Sequence, residues 1–233
     1  MAEILLKNVY LDFPLSYGKS IRSELIEKFV KKNDQFPYFS ALNNININLK
    51  EGDKVGLLGP NGSGKTSLLK IISGIYHPNN GKVFVNGTIS TLISLTTGLD
   101  LEMDGIENIY LTSYLRGYKK KEIDEKITQI IDFSELGESI YKPTRTYSSG
   151  MLTRLAASII VSFHSDILIL DEFISTGDKQ FKDKLFKYMI SKIQNSKIVV
   201  FSSHDEELIN RFCNVKIFME SGSITKIEKI EKI

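Results

Sequence analysis

Ile45, Ile47 and Leu49 alternate with polar residues over 43–50, the period of two expected of a strand with one buried face. Glu51-Gly52-Asp53 follows as a turn, and 54–58 reads as a second strand that runs into a glycine-rich loop. From Thr66 onward Leu68, Leu69 and Ile72 share one helical face, with Gly74 as the stop. Farther along, 167–170 (Ile-Leu-Ile-Leu) and 198–201 (Ile-Val-Val-Phe) are short continuous apolar runs, the pattern of central parallel strands covered on both faces. Between them, 178–194 is polar with Phe181, Leu185, Tyr188, Met189 and Ile193 recurring periodically, which predicts a crossover helix. Strand, loop, helix and later buried strands together predict a doubly wound α/β core.

Two stretches break this alternation. Residues 99–161 read mainly as helix: Ile123, Ile127, Ile130 and Ile131 recur at helical spacing, then Leu152, Leu155, Ala156, Ile159 and Ile160 do, the last group on a helix over 152–163. They predict a helical subdomain inserted into the core. An insert over 14–40 carries the other exception, where Ile21, Leu25, Ile26, Phe29 and Val30 of segment 20–32 form one stripe. Glu24–Lys28 and Glu27–Lys31 pairs lie on its wet side.

Composition adds limits. A length of 233 residues makes one domain over 1–233, with room for a subdomain. Thirty basic against 28 acidic residues leave a net charge of +2, which argues against a nucleic-acid partner. Cys213 stands alone and can form no internal disulfide. No apolar run approaches the roughly 18–20 residues that span a bilayer. Glu3 and Lys7 interrupt the short apolar start, unlike a secretion signal. The expected chain is soluble and cytoplasmic, reaching a membrane only through a partner.

The chemistry-bearing residues begin with Gly59-Pro60-Asn61-Gly62-Ser63-Gly64-Lys65-Thr66, followed by Ser67. The glycines let backbone N–H groups converge on a phosphate with no Cβ in the way. The helix that starts here adds the positive end of its dipole, Lys65 can reach the outer phosphates, and the Thr66 hydroxyl can ligand Mg²⁺. Asp171 and Glu172 close the run 167–170. A carboxylate at the end of a buried strand beside such a loop suits Mg²⁺ held through water, and its neighbour could polarise an attacking water. Tyr147-Ser148-Ser149-Gly150-Met151 precedes the helix of 152–163 and reads either as a second anion site or as an ordinary cap. His204 ends another buried strand, where this fold places its ligand crevice; a surface histidine bonded to Asp205 is the alternative.

In this order the motifs resemble the nucleotide-binding subunit of an ABC transporter: a P-loop NTPase with an antiparallel β subdomain and an inserted helical subdomain. The resemblance implies ATP and Mg²⁺ as cofactors, Glu172 as catalytic glutamate, Lys65 on the phosphates and His204 as switch histidine. It also implies a D-loop at Ser175-Thr176-Gly177-Asp178 and a signature at 147–151. Two copies would face head to tail, each closing the other's nucleotide with Ser148, Ser149 and Gly150. Tyr-Ser-Ser-Gly-Met, the Gly105-Ile106-Glu107-Asn108-Ile109-Tyr110 stretch and the segment 20–32 are similar to the branch that exports lipid-linked polysaccharides such as O-antigen, capsule and teichoic acid. That branch implies a separate integral membrane permease and a peripheral location on the cytoplasmic face of the cell membrane. By the family's pattern Phe13 stacks on adenine, with Phe39 and Tyr38 as competitors. Ser94 stands where most relatives carry a Gln that ligands Mg²⁺. The chain ends near Ile233, whereas some O-antigen exporters carry a further carbohydrate-binding domain, so recognition of the glycan end is not expected here.

Rival readings stay open at this point. An ABC ATPase could energise another exporter, or act as a soluble cassette on ribosomes or DNA, although such relatives usually pair two cassettes in one chain. A phosphate-loop GTPase would need Asn-Lys-x-Asp, and a binding-only module would have lost a carboxylate or lysine. Neither condition is met.

Overall fold

The computed structural model describes residues 1–15, 38–93, 96, 98–171, 179–203 and 206–230. The amphipathic segment 20–32 and the expected site residues Ser94, Glu172, Asp178 and His204 lie outside them. In chain order the first elements are β1 (Glu3–Pro14), β2 (Tyr38–Lys50), β3 (Lys54–Leu58), α1 (Lys65–Ile72), β4 (Asn80–Asn86) and β5 (Ile89–Thr91). The helices α2 (Gly105–Leu115), α3 (Lys120–Asp124), α4 (Ile127–Ser134) and α5 (Ser149–Ser162) follow. The chain then returns through β6 (Ile167–Leu170), α6 (Lys179–Asn195), β7 (Ile198–Ser202), α7 (Glu206–Phe212), β8 (Val215–Glu220) and β9 (Ser223–Lys229).

Two sheets result. β1 pairs antiparallel with β2 on one side and β4 on the other, a three-stranded sheet. The larger sheet runs β5-β6-β7-β3-β8-β9, parallel except for the β8–β9 hairpin. The burial patterns follow the residue patterns. In β2, Ile45, Ile47 and Leu49 are buried between exposed neighbours, the face that period-two alternation predicts. All four residues of β6 and all five of β7 are buried, because both faces of this sheet are covered.

Alternate side chains of β6 feed different cores. Ile167 and Ile169 join the apolar layer between the sheets and α1, with Ile4, Leu42, Ile45, Leu57, Leu68 and Leu69. Leu168 and Leu170 point the other way, toward Phe181, Leu185 and Met189 of α6 and Ile209 of α7. A third cluster, built on Ile109, Ile123, Ile130, Leu155 and Ile159, is the separate core of the inserted helices. Each fully buried aliphatic side chain contributes about 1.5–3 kcal/mol by its removal from water. A three-residue error in register would forfeit several of these at once.

The inserted region differs from expectation in two details. Ile123 and the Ile127–Ile131 group belong to two short helices, α3 and α4, divided at Lys126 (φ −109) rather than to one. The long apolar helix starts at Ser149, three residues before the expected start at Leu152, because Ser148 caps it: its Oγ accepts from the Met151 N–H at 3.2 Å. Ser149 and Gly150 therefore form its first turn.

Candidate nucleotide site

The loop after β3 folds around a cavity of ≈ 290 Å³ lined by Asn61, Gly62, Ser63, Gly64, Lys65, Thr66, Ser67, Phe39 and Ala41. Apart from Gly59, which lies at its root, every loop residue expected to touch a nucleotide is thus on one concave surface. Three features suit an anion there. Gly64, the residue before α1, has φ 101, and no side chain caps the helix. The first-turn N–H groups have no helical carbonyl behind them and remain available to a ligand. Ser63 is only 2% exposed, and its hydroxyl has no hydrogen-bond partner among the described residues. A buried hydroxyl left unpaired costs about 1–3 kcal/mol, which a phosphate oxygen would relieve. Finally Lys65 is 7% exposed, and its ammonium donates to the carbonyls of Gly59 (2.8 Å) and Pro60 (3.0 Å). The cation is thus stored against its own loop, beside the cavity that Lys65 lines.

Backbone contacts hold the loop in place. A Cβ at Gly59 would stand 2.2 Å from the Met219 carbonyl oxygen and 2.8 Å from Ser63 Oγ, so only glycine allows β8 to approach this closely. The tip of the β8–β9 hairpin adds a strap: Gly222 N–H donates to Ser63 O at 3.1 Å, and Asn43 N–H donates to Gly222 O at 2.8 Å. Sequence reasoning missed this buttress, which joins segments far apart in the chain.

Asp171 follows β6 at the same C-terminal sheet edge. β6 and β7 are parallel neighbours in register Leu170↔Phe201, which brings Ser202 beside Asp171. The Ser202 hydroxyl donates to Asp171 Oδ1 at 2.6 Å, fixing the carboxylate and leaving Oδ2 free of that bond. Sequence reasoning missed Ser202, which is fully buried; its place directly after the apolar run 198–201 was a signal, but its partner Asp171 was not legible from it. Among the described residues no group of three or more His, Cys, Asp and Glu side chains could hold a metal. A divalent ion here would rely on Thr66, Asp171 and ligand oxygens, the donor set Mg²⁺ accepts.

The Ser148–Gly150 segment is organised from behind. Asn108, fully buried on α2, donates through Nδ2 to the carbonyls of Asp100 (2.9 Å) and Asp104 (2.9 Å), and its Oδ1 accepts from Asp100 N–H (2.7 Å). Asp104 and Glu107 close a reciprocal capping box at the start of α2. Gly105 lets Tyr147 pack there: a Cβ at 105 would lie 2.8 Å from the Tyr147 hydroxyl oxygen and 2.6 Å from Ile140 Cδ1. Tyr147 is held in turn by donating to Ser139 O at 2.6 Å. Ser148 and Ser149 are exposed, and neither lines the phosphate-loop cavity.

The aromatic beside the cavity is Phe39. Phe13 faces it across the β1–β2 pair, in register Phe13↔Phe39, but is not part of the lining. Its ring meets Tyr76 edge-on, centroids 5.5 Å apart, and packs on the main core. Phe39 is 52% exposed, as a platform for a ligand must be. The family's pattern points to Phe13; the insert after Pro14 separates Phe39 from it in the chain, and strand pairing brings the two side by side.

A phosphate loop after the central strand, an acidic residue two strands away and an inserted helical subdomain define a P-loop ATPase cassette. The chain belongs to the ABC transporter family, whose model matches residues 42–175. It is 37% identical to the O-antigen export system ATP-binding protein RfbE of Yersinia enterocolitica over 96% of this chain and 97% of that one. It is 34% identical to the O-antigen export system ATP-binding protein RfbB of Myxococcus xanthus over its whole length, but spans 55% of that protein. With the teichoic acids export ATP-binding protein TagH of Bacillus anthracis it shares 38% identity over 88% of this chain and 37% of the relative. Among solved structures, the dimeric post-hydrolysis ATP-binding cassette MJ0796 bound to ADP and Pi shares the fold at a TM-score of 0.73 and 21% identity, covering 99% of this chain and 100% of that one.

Proposed function

We propose that this chain is the ATP-hydrolysing subunit of an exporter that moves lipid-linked polysaccharide of the O-antigen or teichoic acid type. The observation that carries this reading is the end-to-end match, at 37% identity, with a protein named for O-antigen export. In this reading an integral membrane permease is the partner and the subunit works at the cytoplasmic face of the cell membrane. No helix among the described residues is long and apolar enough to cross a membrane, so contact with the bilayer would come through that permease.

The residues divide the work as follows. Backbone N–H groups of 61–66 cradle the phosphates while Lys65 exchanges the Gly59 and Pro60 carbonyls for phosphate oxygens. Phe39 offers its face to the base, a contact that depends on area rather than on edge hydrogen bonds. Thr66 and Asp171 would hold Mg²⁺, with Ser202 setting the carboxylate's angle and Ser94 as a further proposed donor. A bound Mg²⁺ would neutralise charge on the phosphates. Glu172, next in the chain after Asp171, would take the proton of the attacking water, and His204, two positions after Ser202, would orient the outer phosphate. The exposed Ser148 and Ser149, with Gly150 and Asp178, would complete the pocket of a second copy. The capped start of α5 suits this, because its first-turn N–H groups point outward with the dipole's positive end.

The test is extraction of the tagged chain from detergent-solubilised membranes of its own cells, together with replacement by Lys65→Ala. A multi-span membrane protein should accompany the chain, and the variant cells should lose surface polysaccharide while the lipid-linked precursor accumulates. Normal surface polysaccharide in Lys65→Ala cells would overturn the proposal.

A further inference from the structure

A second cavity of ≈ 240 Å³ lies where α4, α5 and α6 meet. Phe163 and His164 precede β6, and Ser196 precedes β7, so this cavity opens at the N-terminal edge of the sheet, opposite the phosphate loop. Its lining includes Lys126, Gln129, His164, Tyr188, Ser191 and Lys192 and contains no Asp or Glu. Lys126 and Lys192 form no ion pair with a carboxylate among the described residues. Asp166, two positions from His164, is occupied by Thr88 and Lys197. Glu125 and Asp132 line a neighbouring groove instead, with Lys184.

We infer that this cavity is a binding site for a phosphate dianion, carried by inorganic phosphate or by a soluble phosphomonoester, with Lys126 and Lys192 as its two cations.

Several donors converge there besides the lysines. Gln129 donates to the Tyr188 hydroxyl at 2.8 Å, which leaves that hydroxyl's own proton for another acceptor, and Asn195 donates to Ser191 at 3.3 Å. The Lys192 ammonium donates to the Phe163 carbonyl at the end of α5. Helix ends must be weighed against the lysines. α5 and α6 end at the cavity and α4 begins at it, so three half-charges sum to about −0.5, well short of the two positive charges. Burial first, and then the charge of Lys126, hold Lys192 down to about 8. An anion between them would remove that repulsion.

Isothermal titration of the full chain, with its phosphate loop saturated by Mg²⁺ and a non-hydrolysable ATP analogue, tests this apart from the nucleotide site. Inorganic phosphate and glucose 1-phosphate are the probes; tighter binding of one names the source. Either should bind once per chain, and Lys126→Gln should weaken it roughly tenfold or more, since a charge-assisted hydrogen bond is lost. Lys126→Arg should keep most of the affinity. Lys192→Gln removes the bond to Phe163 as well, so its folding is checked first by circular dichroism. Absence of saturable binding by both probes, or unchanged affinity in Lys126→Gln and folded Lys192→Gln, overturns the inference.

Discussion

Replacing Phe39 by Ala separates the two aromatic candidates for the base. Phe39 lines the phosphate-loop cavity and is half exposed, while Phe13 lies across the strand pair with its ring edge on Tyr76. Stacking of a base on an aromatic ring contributes about 1–3 kcal/mol by alanine substitution. A ring open to solvent on one side belongs near the lower end, about 1.4 kcal/mol, or roughly tenfold in affinity. Phe13→Ala should act elsewhere. It removes an edge-to-face pair of about 0.5–1.5 kcal/mol together with core contacts, so it should lower the urea midpoint and leave affinity within about twofold. Titration with a fluorescent ATP analogue, repeated with the GTP analogue, reads both variants. Phe39→Ala should weaken the two nucleotides alike, because a π-face does not read base edges. If folded Phe13→Ala loses affinity and Phe39→Ala does not, the assignment from cavity lining is wrong.

Other variants probe the remaining parts of the site and its scaffold. Glu172→Gln should slow steady-state ATP hydrolysis about 10²- to 10⁴-fold, as removal of a general base does, and should elute as an ATP-stabilised dimer in gel filtration; near-normal turnover contradicts its role. Gly59→Ala places a methyl 2.2 Å from the Met219 carbonyl oxygen at φ +149, so it should cost about 3 kcal/mol or more in urea unfolding. Ser202→Ala leaves Asp171 Oδ1 without its 2.6 Å donor, and should raise the Mg²⁺ concentration needed for half-maximal hydrolysis several-fold. Asp166→Asn tests pH dependence. Thr88 N–H first, then Lys197, lower the Asp166 carboxyl from 3.8 to about 2. A depressed acid stabilises the fold above its unfolded value and ceases to as pH falls from about 4 through 2. For a partly solvated group this is about 1 kcal/mol, so the variant should be that much less stable at pH 7 and converge on the parent only below pH 2.

What could be read from residues alone was whatever is local in the chain. The Ile45-Ile47-Leu49 alternation, the unrelieved runs of β6 and β7 and the phosphate loop each occupy a few consecutive positions, so their physics shows in the letters. The start of α5 at Ser149 was less legible, since the apolar pattern begins at Leu152 and only the Ser148 cap reveals the first turn. Cross-chain placements were invisible. Ser202 meets Asp171 only because β6 and β7 are neighbours, and a strand order of β5-β6-β7-β3-β8-β9 is not written in any single segment. Phe39 reaches the cavity through strand pairing across an insert. Asn108 was noticed within a family stretch, but its grip on the Asp100–Asp104 turn needed coordinates.

The role of α5 follows from these placements. Its 14 residues span about 21 Å. Leu155 and Ile159 enter the core of the inserted helices, while Ala157, Ile160 and Val161 enter the core beneath the large sheet. The helix is therefore clamped by two apolar clusters, and displacing it from either would expose several side chains worth about 1.5–3 kcal/mol each. Ser148 at its start is exposed yet fixed by its bond to the Met151 N–H and by its buried neighbour Tyr147, so its position relative to the sheet is set by packing rather than by any local contact with the nucleotide cavity. A surface hydroxyl held that firmly, and outside the lining of the phosphate-loop cavity, is suited to meet a ligand brought by another molecule. That is the geometric ground for expecting the pocket to be completed by a second copy.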